Sequence, residues 1–168
     1  LLGYDVTVCD ARPIFATPQR FPEADRVVVD WPHRYLQAEI DAGRVGPSTV
    51  VCVLTHDPKF DIPLLTTVLT LPDGVRPGYI GAMGSRRTHA DRAEQLLANG
   101  VHSDQLAQLR SPIGLDLGAR TPEETAVSIV AEIIADRWRG RGGPLSEGDG
   151  AIHRRSGGDQ PLSDGITS

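Results

Sequence analysis

Residues 48–89 read STVVCVLTHDPKFDIPLLTTVLTLPDGVRPGYIGAMGSRRTH, and the order of apolar runs and turns within them decides the fold. STVVCVLTHD (Ser48 to Asp57) is the strongest strand of the chain: short, continuously apolar and rich in β-branched residues, as a strand covered on both faces requires. PLLTTVLTLPDG has the apolar spacing of a short helix. PGYIGAM supplies a second strand, and SRRTHADRAEQLLANG a helix closed by Gly100. Strand, helix, strand, helix in succession calls for parallel strands, because each helix carries the chain back to the starting edge.

Outward from this centre the alternation continues. YDVTVCD (Tyr4 to Asp10) alternates and ends in an acid, and ARPIFATPQRFPEA after it is a proline-rich loop. RVVVD (Arg26 to Asp30) is another strand, and WPHRYLQAEIDAGRVG a helix with Pro32 at its first position and Gly43 as its stop. Downstream, SDQLAQLR predicts a short helix opened by Ser103, PIGLDLGAR a loop, and TPEETAVSIVAEIIADRWR the best-signalled helix in the chain. There Thr121 is the N-cap, Pro122 fits the first turn and Glu124 completes a capping box. Its expected apolar face comprises Val127, Val130, Ile133 and Ile134, with Ala126 and Trp138. The fold class is therefore α/β, a doubly wound, Rossmann-like parallel sheet with helices on both faces. Residues 1–139 make up this domain; residues 140–168, poor in apolar side chains and rich in Gly, Ser and Asp, read as a disordered tail.

Leu1 to Gly3 read as the last turn of a helix and its terminating glycine. The first strand and Gly-rich turn of a Rossmann fold would then lie upstream, leaving the sheet without its central strand in this chain. Two bare apolar strand edges are unstable alone, so an upstream segment, a separate chain or a swapped copy is expected to complete the sheet. A complete, independently closed sheet would refute this.

The chain has 168 residues, 39% of them apolar and 23% charged, enough for one globular domain with a true core. Its net charge of −5 excludes general nucleic-acid binding, which requires a basic face. Cys9 and Cys52 lie in apolar strand runs, which suits buried, inert thiols. Nothing resembles a secretory signal, and no apolar run approaches the roughly 20 residues that span a bilayer. The expected compartment is the reducing cytoplasm.

In such folds ligands lie beyond the carboxyl ends of the strands, and the chemistry-bearing residues gather in those loops. Asp10 stands where a Rossmann fold places the acid that bonds a ribose hydroxyl, although a strand-end acid also serves local turn hydrogen bonds. Arg12 beside it suits a ribose phosphate. His56 and Asp57, with Lys59 and Asp61, follow the strongest strand; they fit proton transfer, or Asp57 and Pro58 simply open the next helix. Their spacing alone makes no metal site.

GYIGAMGSRRTH (Gly78 to His89) is the clearest ligand turn. Gly81 and Gly84 permit close backbone approach, Ser85 caps the helix, and Arg86 and Arg87 sit where the helix dipole repels cations unless an anion is bound. Pairing of the two arginines with Asp91 and Glu94 is the structural alternative. The G-K-[ST] ending of a P-loop is absent. Arg120, before the capped helix, meets either the same ligand or Asp116.

Four blocks, DARPIFATPQRFPEAD, LTHDPKFD, GYIGAMGSRRTH and PIGLDLGARTPEETAVSIVAEI, together resemble the C-terminal Rossmann-like domain of the XdhC/CoxI family, the xanthine dehydrogenase accessory proteins, over roughly Leu1 to Arg139. The resemblance implies a maturation factor that binds molybdenum cofactor, protects it while a cysteine desulfurase-type donor supplies its sulfido ligand, and delivers it to a molybdenum hydroxylase of the xanthine or carbon monoxide dehydrogenase type. By resemblance Gly81, Gly84, Ser85, Arg86 and Arg87 cradle the phosphate, with Arg120 nearby. Asp10 and Arg12 would then lie toward the ribose or pterin, and His56 and Asp57 face the reacting end as the catalytic candidates. The N-terminal domain of that family, with its cofactor-engaging cysteine, is not in this chain. An NAD(P)-dependent oxidoreductase is the alternative that the fold and Asp10 allow, but Tyr4, Tyr35 and Tyr79 lack the lysine partner of a usual proton donor. A nucleotide-linked transferase or hydrolase working through His56 and Asp57 is a third reading.

Overall fold

A computed structural model describes residues 2–147. Five short strands, β1 (Thr7–Cys9), β2 (Arg26–Val28), β3 (Val50–Val53), β4 (Tyr79–Ala82) and β5 (Leu109–Arg110), alternate with five helices, α1 (Pro32–Asp41), α2 (Pro58–Leu69), α3 (Arg86–Ala98), α4 (Ser103–Leu106) and α5 (Pro122–Trp138). Every strand pair is parallel. This is the Rossmann-like α/β architecture expected from the alternation of apolar runs.

The strands form two sheets, β1–β2 and β3–β4–β5. Among the described residues no ladder joins β1 to β3. The strands of the larger sheet differ in burial. Every residue of β4 is buried, whereas Val50, Val51 and Cys52 of β3, in the most apolar strand of the sequence, are only half-buried.

The main core lies on the α2 and α3 side, where Leu65, Val68 and Leu69 meet Leu96, Ile80 and Ala82, nearly all fully buried. At roughly 1.5–3 kcal/mol for each fully buried large aliphatic side chain, this cluster is what holds both helices on β3 and β4. A smaller cluster of Tyr79, Ile113, Ile129 and Ile133 holds α5 to the opposite face.

Local signals position most helices as expected. Thr121 caps α5, accepting from the Glu124 amide at 3.2 Å, while the Glu124 carboxylate accepts from the Thr121 amide at 3.0 Å. Four details differ from the sequence reading. Helix α2 begins at Pro58, earlier than its apolar pattern indicates, because Asp57 caps it. Ser103 is the first residue of α4 and not its cap; that position belongs to His102, whose amide donates to Gln105. Leu109 and Arg110, read as the end of that helix, pair with β4 instead, since the edge of β4 offers them a ladder.

The fourth correction concerns α5, which buries Ser128, Ile129 and Ile133 and leaves Val127, Val130, Ile134 and Trp138 exposed. Loop 113–115 sets this rotation: the Ser128 hydroxyl donates to the Leu115 carbonyl, and the Leu115 amide to the Ser128 carbonyl. The exposed four, spaced 3, 4 and 4 residues apart, form one apolar stripe. Of the expected tail, residues 148–168 lie outside the described residues. Its start does touch the domain, with the Gly140 amide bonded to the Ala135 carbonyl at 2.8 Å.

Candidate functional site

Because β3, β4 and β5 are parallel, the loops after them emerge at one edge, and the contact of Arg12 with Phe60 brings the loop after β1 to it. The first brings Asp10 and Arg12. Arg12 Nε donates to Asp10 Oδ1 at 2.9 Å, Nη2 to Oδ2 at 2.8 Å, and the Arg12 amide to Oδ1 at 2.8 Å. Hydrogen bonding to Arg12 is the main cause that holds the Asp10 carboxyl below its ordinary range; in return Asp10, helped by Asp57, raises the Arg12 guanidinium. Oδ1 thus accepts two bonds and Oδ2 one, all from Arg12.

Arg12 also lies over the Phe15 ring at 4.3 Å and the Phe60 ring at 5.3 Å. Phe60, at the start of α2, meets Trp31 from the loop after β2, with ring centroids 5.3 Å apart, and Lys59 stands 4.8 Å above Trp31. Loops after β1, β2 and β3 thus converge on one cationic and aromatic wall, whose attractions come from ring quadrupoles facing the cations. Only Arg12 and Lys59 of this group stand out in the sequence.

The glycine turn is built as expected at Gly84 and Ser85 but not at Gly81. Gly84 has φ of 151°, and a Cβ there would lie 3.1 Å from Thr88. Ser85 accepts from the Thr88 amide at 3.1 Å and so caps α3. Gly81 lies within β4, and a Cβ there would come 2.5 Å from Ile113 Cδ1. Its lack of a side chain makes room for the core and not for a ligand, which corrects its assignment to the cradle.

Arg86, Arg87 and Arg120 are exposed, and none forms an ion pair among the described residues. The alternative partners Asp91, Glu94 and Asp116 are thus not engaged by them. Two unpaired arginines in the first turn of α3, beside capping Ser85, leave an N-terminus suited to a phosphate-sized anion. The Arg120 amide donates to Glu124 at 2.7 Å, and no contact brings its side chain to the turn.

Asp57 accepts from the Lys59 amide at 3.1 Å as the cap of α2, and His56 beside it is exposed. Below them is a pair the sequence reading missed. Asp61 and Arg92, 2% and 4% exposed, meet at 2.9 Å. The available signal was helical spacing: Arg92 precedes the fully buried Leu96 by one turn and so falls on the apolar face of α3.

Among the described residues no group of three or more His, Cys, Asp or Glu is arranged to hold a metal ion. Cys9 and Cys52 are half-buried and not fully buried as expected, yet desolvation still pushes their thiols up to about 11, which disfavours a reactive thiolate. No helix of the described residues is long and apolar enough to cross a membrane. Two surface hollows, of about 240 and 330 Å³, lie around Pro77 to Ile80 and around Arg139 to Arg141, the second bordered by Leu115 of the loop after β5. The strand-end edge remains the candidate because the chemistry converges there.

Parallel strands alternating with helices define a Rossmann-type domain, with a capped glycine turn and arginines unpaired among the described residues at one edge. The chain belongs to the XdhC Rossmann domain family, whose model matches residues 1–133. It is 36% identical over 137 residues to a probable xanthine dehydrogenase subunit of Bacillus subtilis, covering 82% of this chain and 37% of that protein. It is 31% identical over 96 residues to the molybdenum cofactor insertion chaperone PaoD of Escherichia coli, covering 57% of this chain and 29% of that protein. A crystal structure of a xanthine dehydrogenase from Bacillus halodurans superposes with a TM-score of 0.65 at 32% identity, over 88% of this chain and 38% of that one. The chain therefore spans little more than a third of these relatives' lengths at most.

Proposed function

We propose that this domain holds molybdenum cofactor through its phosphate during maturation and passes it to a molybdenum hydroxylase of the xanthine or carbon monoxide dehydrogenase type. The observation that carries the reading is the α3 N-terminus, where Gly84 and Ser85 present backbone donors beside the unpaired Arg86 and Arg87. This donor set fits a phosphate monoester. The similarity to a molybdenum cofactor insertion chaperone supports the choice of ligand.

The cofactor itself supplies the metal chemistry. The chain's part is to bind and orient: Arg86 and Arg87 neutralise phosphate charge, Ser85 and Gly84 donate to its oxygens, and the Arg12 wall borders the pterin or nucleotide. His56 and Asp57 lie on the same edge and are assigned to its reacting end, where a cysteine desulfurase-type partner would deliver sulfur. Arg120 is placed at the outer rim. This makes the domain a binding and handover device acting in the cytoplasm. An upstream segment or a second chain supplies the strand between β1 and β3 and covers the α5 stripe.

The Arg12–Asp10 pair competes with the ribose bond that the alternative of an NAD(P)-dependent oxidoreductase would make at Asp10. Arg12 takes three of the roughly four acceptor sites of that carboxylate, leaving one on Oδ2 for a ribose hydroxyl. Calorimetry of the protein with its sheet completed, titrating molybdenum cofactor and NAD(P)H separately, tests the proposal. Preference for molybdenum cofactor that is lost in Arg86→Ala/Arg87→Ala upholds it; preference for the nicotinamide cofactor overturns it.

A further inference from the structure

We infer that the buried Asp61–Arg92 pair is a positioning device that aims the Gly84 amide outward, toward the anion held at the α3 N-terminus. It rests on the reading of that turn as an anion site and adds residues that never touch the ligand.

Four contacts define the device. Arg92 Nη2 donates to Asp61 Oδ2 at 2.9 Å and to the Met83 carbonyl at 3.0 Å, and Nη1 donates to Ser111 Oγ at 3.2 Å. The Thr55 hydroxyl donates to Asp61 Oδ1. Thr55, Met83 and Ser111 belong to the loops after β3, β4 and β5. One guanidinium and one carboxylate thus tie together three consecutive loops of the candidate edge, and every one of these bonds beyond the pair itself goes to a loop.

Met83 is held from two directions. Its amide donates to the Val53 carbonyl at 2.8 Å while its carbonyl accepts from Arg92 below. The Met83–Gly84 peptide is trans, and in a planar trans peptide the C=O and N–H point in opposite directions. Drawing the Met83 carbonyl inward to Arg92 therefore turns the Gly84 N–H outward. Among the described residues no acceptor meets that N–H. The fit is close: a Cβ on Gly84 would lie 3.6 Å from Arg92 Nη1.

The energetics point the same way. Burying both charges costs desolvation that their attraction rarely exceeds, and a well-packed apolar pair commonly serves stability as well or better. The neighbouring Leu65, Val68, Leu69 and Leu96 already pack with no exposure. Fork geometry is what an apolar pair cannot supply, and a lysine cannot reach three acceptors in one plane.

The test compares the full chain with Asp61→Leu/Arg92→Met and with Arg92→Lys, reading melting temperature and the amide spectrum during titration with inorganic phosphate. In the unsubstituted protein the Gly84 and Ser85 resonances should move with phosphate. Both variants should keep the spectrum of the folded core, while phosphate affinity at these amides falls roughly tenfold or more, as displacement of an aligned group predicts. Phosphate affinity that survives in both variants overturns the inference, and so does loss of the fold in both, which would make the pair a structural tie. No response in the unsubstituted protein would instead remove the anion reading on which the inference stands. Arg86→Ala/Arg87→Ala separates the two: it should weaken phosphate binding while leaving the free-state Gly84 resonance in place, whereas Arg92→Lys should shift that resonance before any phosphate is added.

Discussion

Arg12 grips Asp10 with two parallel hydrogen bonds of 2.9 and 2.8 Å, so an acid at the ribose position of a Rossmann fold faces its own neighbour. The pair also fixes Arg12 between Phe15 and Phe60.

A pH dependence follows. The Asp10 carboxyl is held below its ordinary value, chiefly by Arg12. A depressed folded-state value contributes stability that is present above the unfolded carboxylate range of about 4 and is lost as pH falls through the folded one. Arg12→Ala should flatten this part of the acid limb. Melting temperature measured from neutral pH down to acid, in both proteins, checks it; parallel curves would rule it out.

Arg86 and Arg87 are exposed and without ion pairs among the described residues. Replacing both with alanine should change stability by no more than about 0.5 kcal/mol for each site while lowering ligand affinity. A large drop in melting temperature would show that they hold the fold.

Gly81→Ala places a methyl group 2.5 Å from Ile113 Cδ1. Overpacking of this kind costs about 1–3 kcal/mol. Chemical denaturation should show the loss, and Gly81→Ala/Ile113→Val should recover part of it with ligand affinity unchanged. A loss of affinity at full stability would return Gly81 to the cradle.

Tyr79 donates to Glu132 Oε2 at 2.5 Å, and the same oxygen accepts from the Gly114 amide at 2.7 Å. Burial first, then this bond, raises the Tyr79 phenol above its ordinary range. Its stabilising contribution is complete below the unfolded value near 10 and is lost as pH rises through the folded one. Tyr79→Phe should cost about 2 kcal/mol near neutral pH and remove this part of the alkaline limb, as equilibrium unfolding from about pH 8 upward would reveal.

The bare edges of β1 and β3 and the α5 stripe are predicted to be covered together. Fusing an apolar strand, a turn and an amphipathic helix ahead of Leu1 should slow amide exchange in β1 and β3 and shift Trp138 emission to the blue. Unchanged exchange and emission would leave the central position without an occupant.

The sequence carried the parallel α/β class because apolar runs of strand length alternate with helical spacing, and that periodicity is a local property. It also carried the caps, since Ser85, Asp57 and Thr121 act on amides two or three residues away. Asp10, Arg12, Gly84, Arg86 and Arg87 could be proposed from sequence because strand ends and helix starts are where ligands meet such folds.

What tertiary structure alone decided lies in contacts between residues distant in the chain. Gly81 looked like Gly84 until Ile113 was seen against it. The rotation of α5 depended on loop 113–115, and β5 depended on the free edge of β4. Helical spacing puts Arg92 on the apolar face of α3, but its partner Asp61 is brought to it by α2 across 31 positions of sequence. Local spacing determines which elements form and where ligands are met. Packing determines which residues face inward, because that depends on the neighbours the fold supplies.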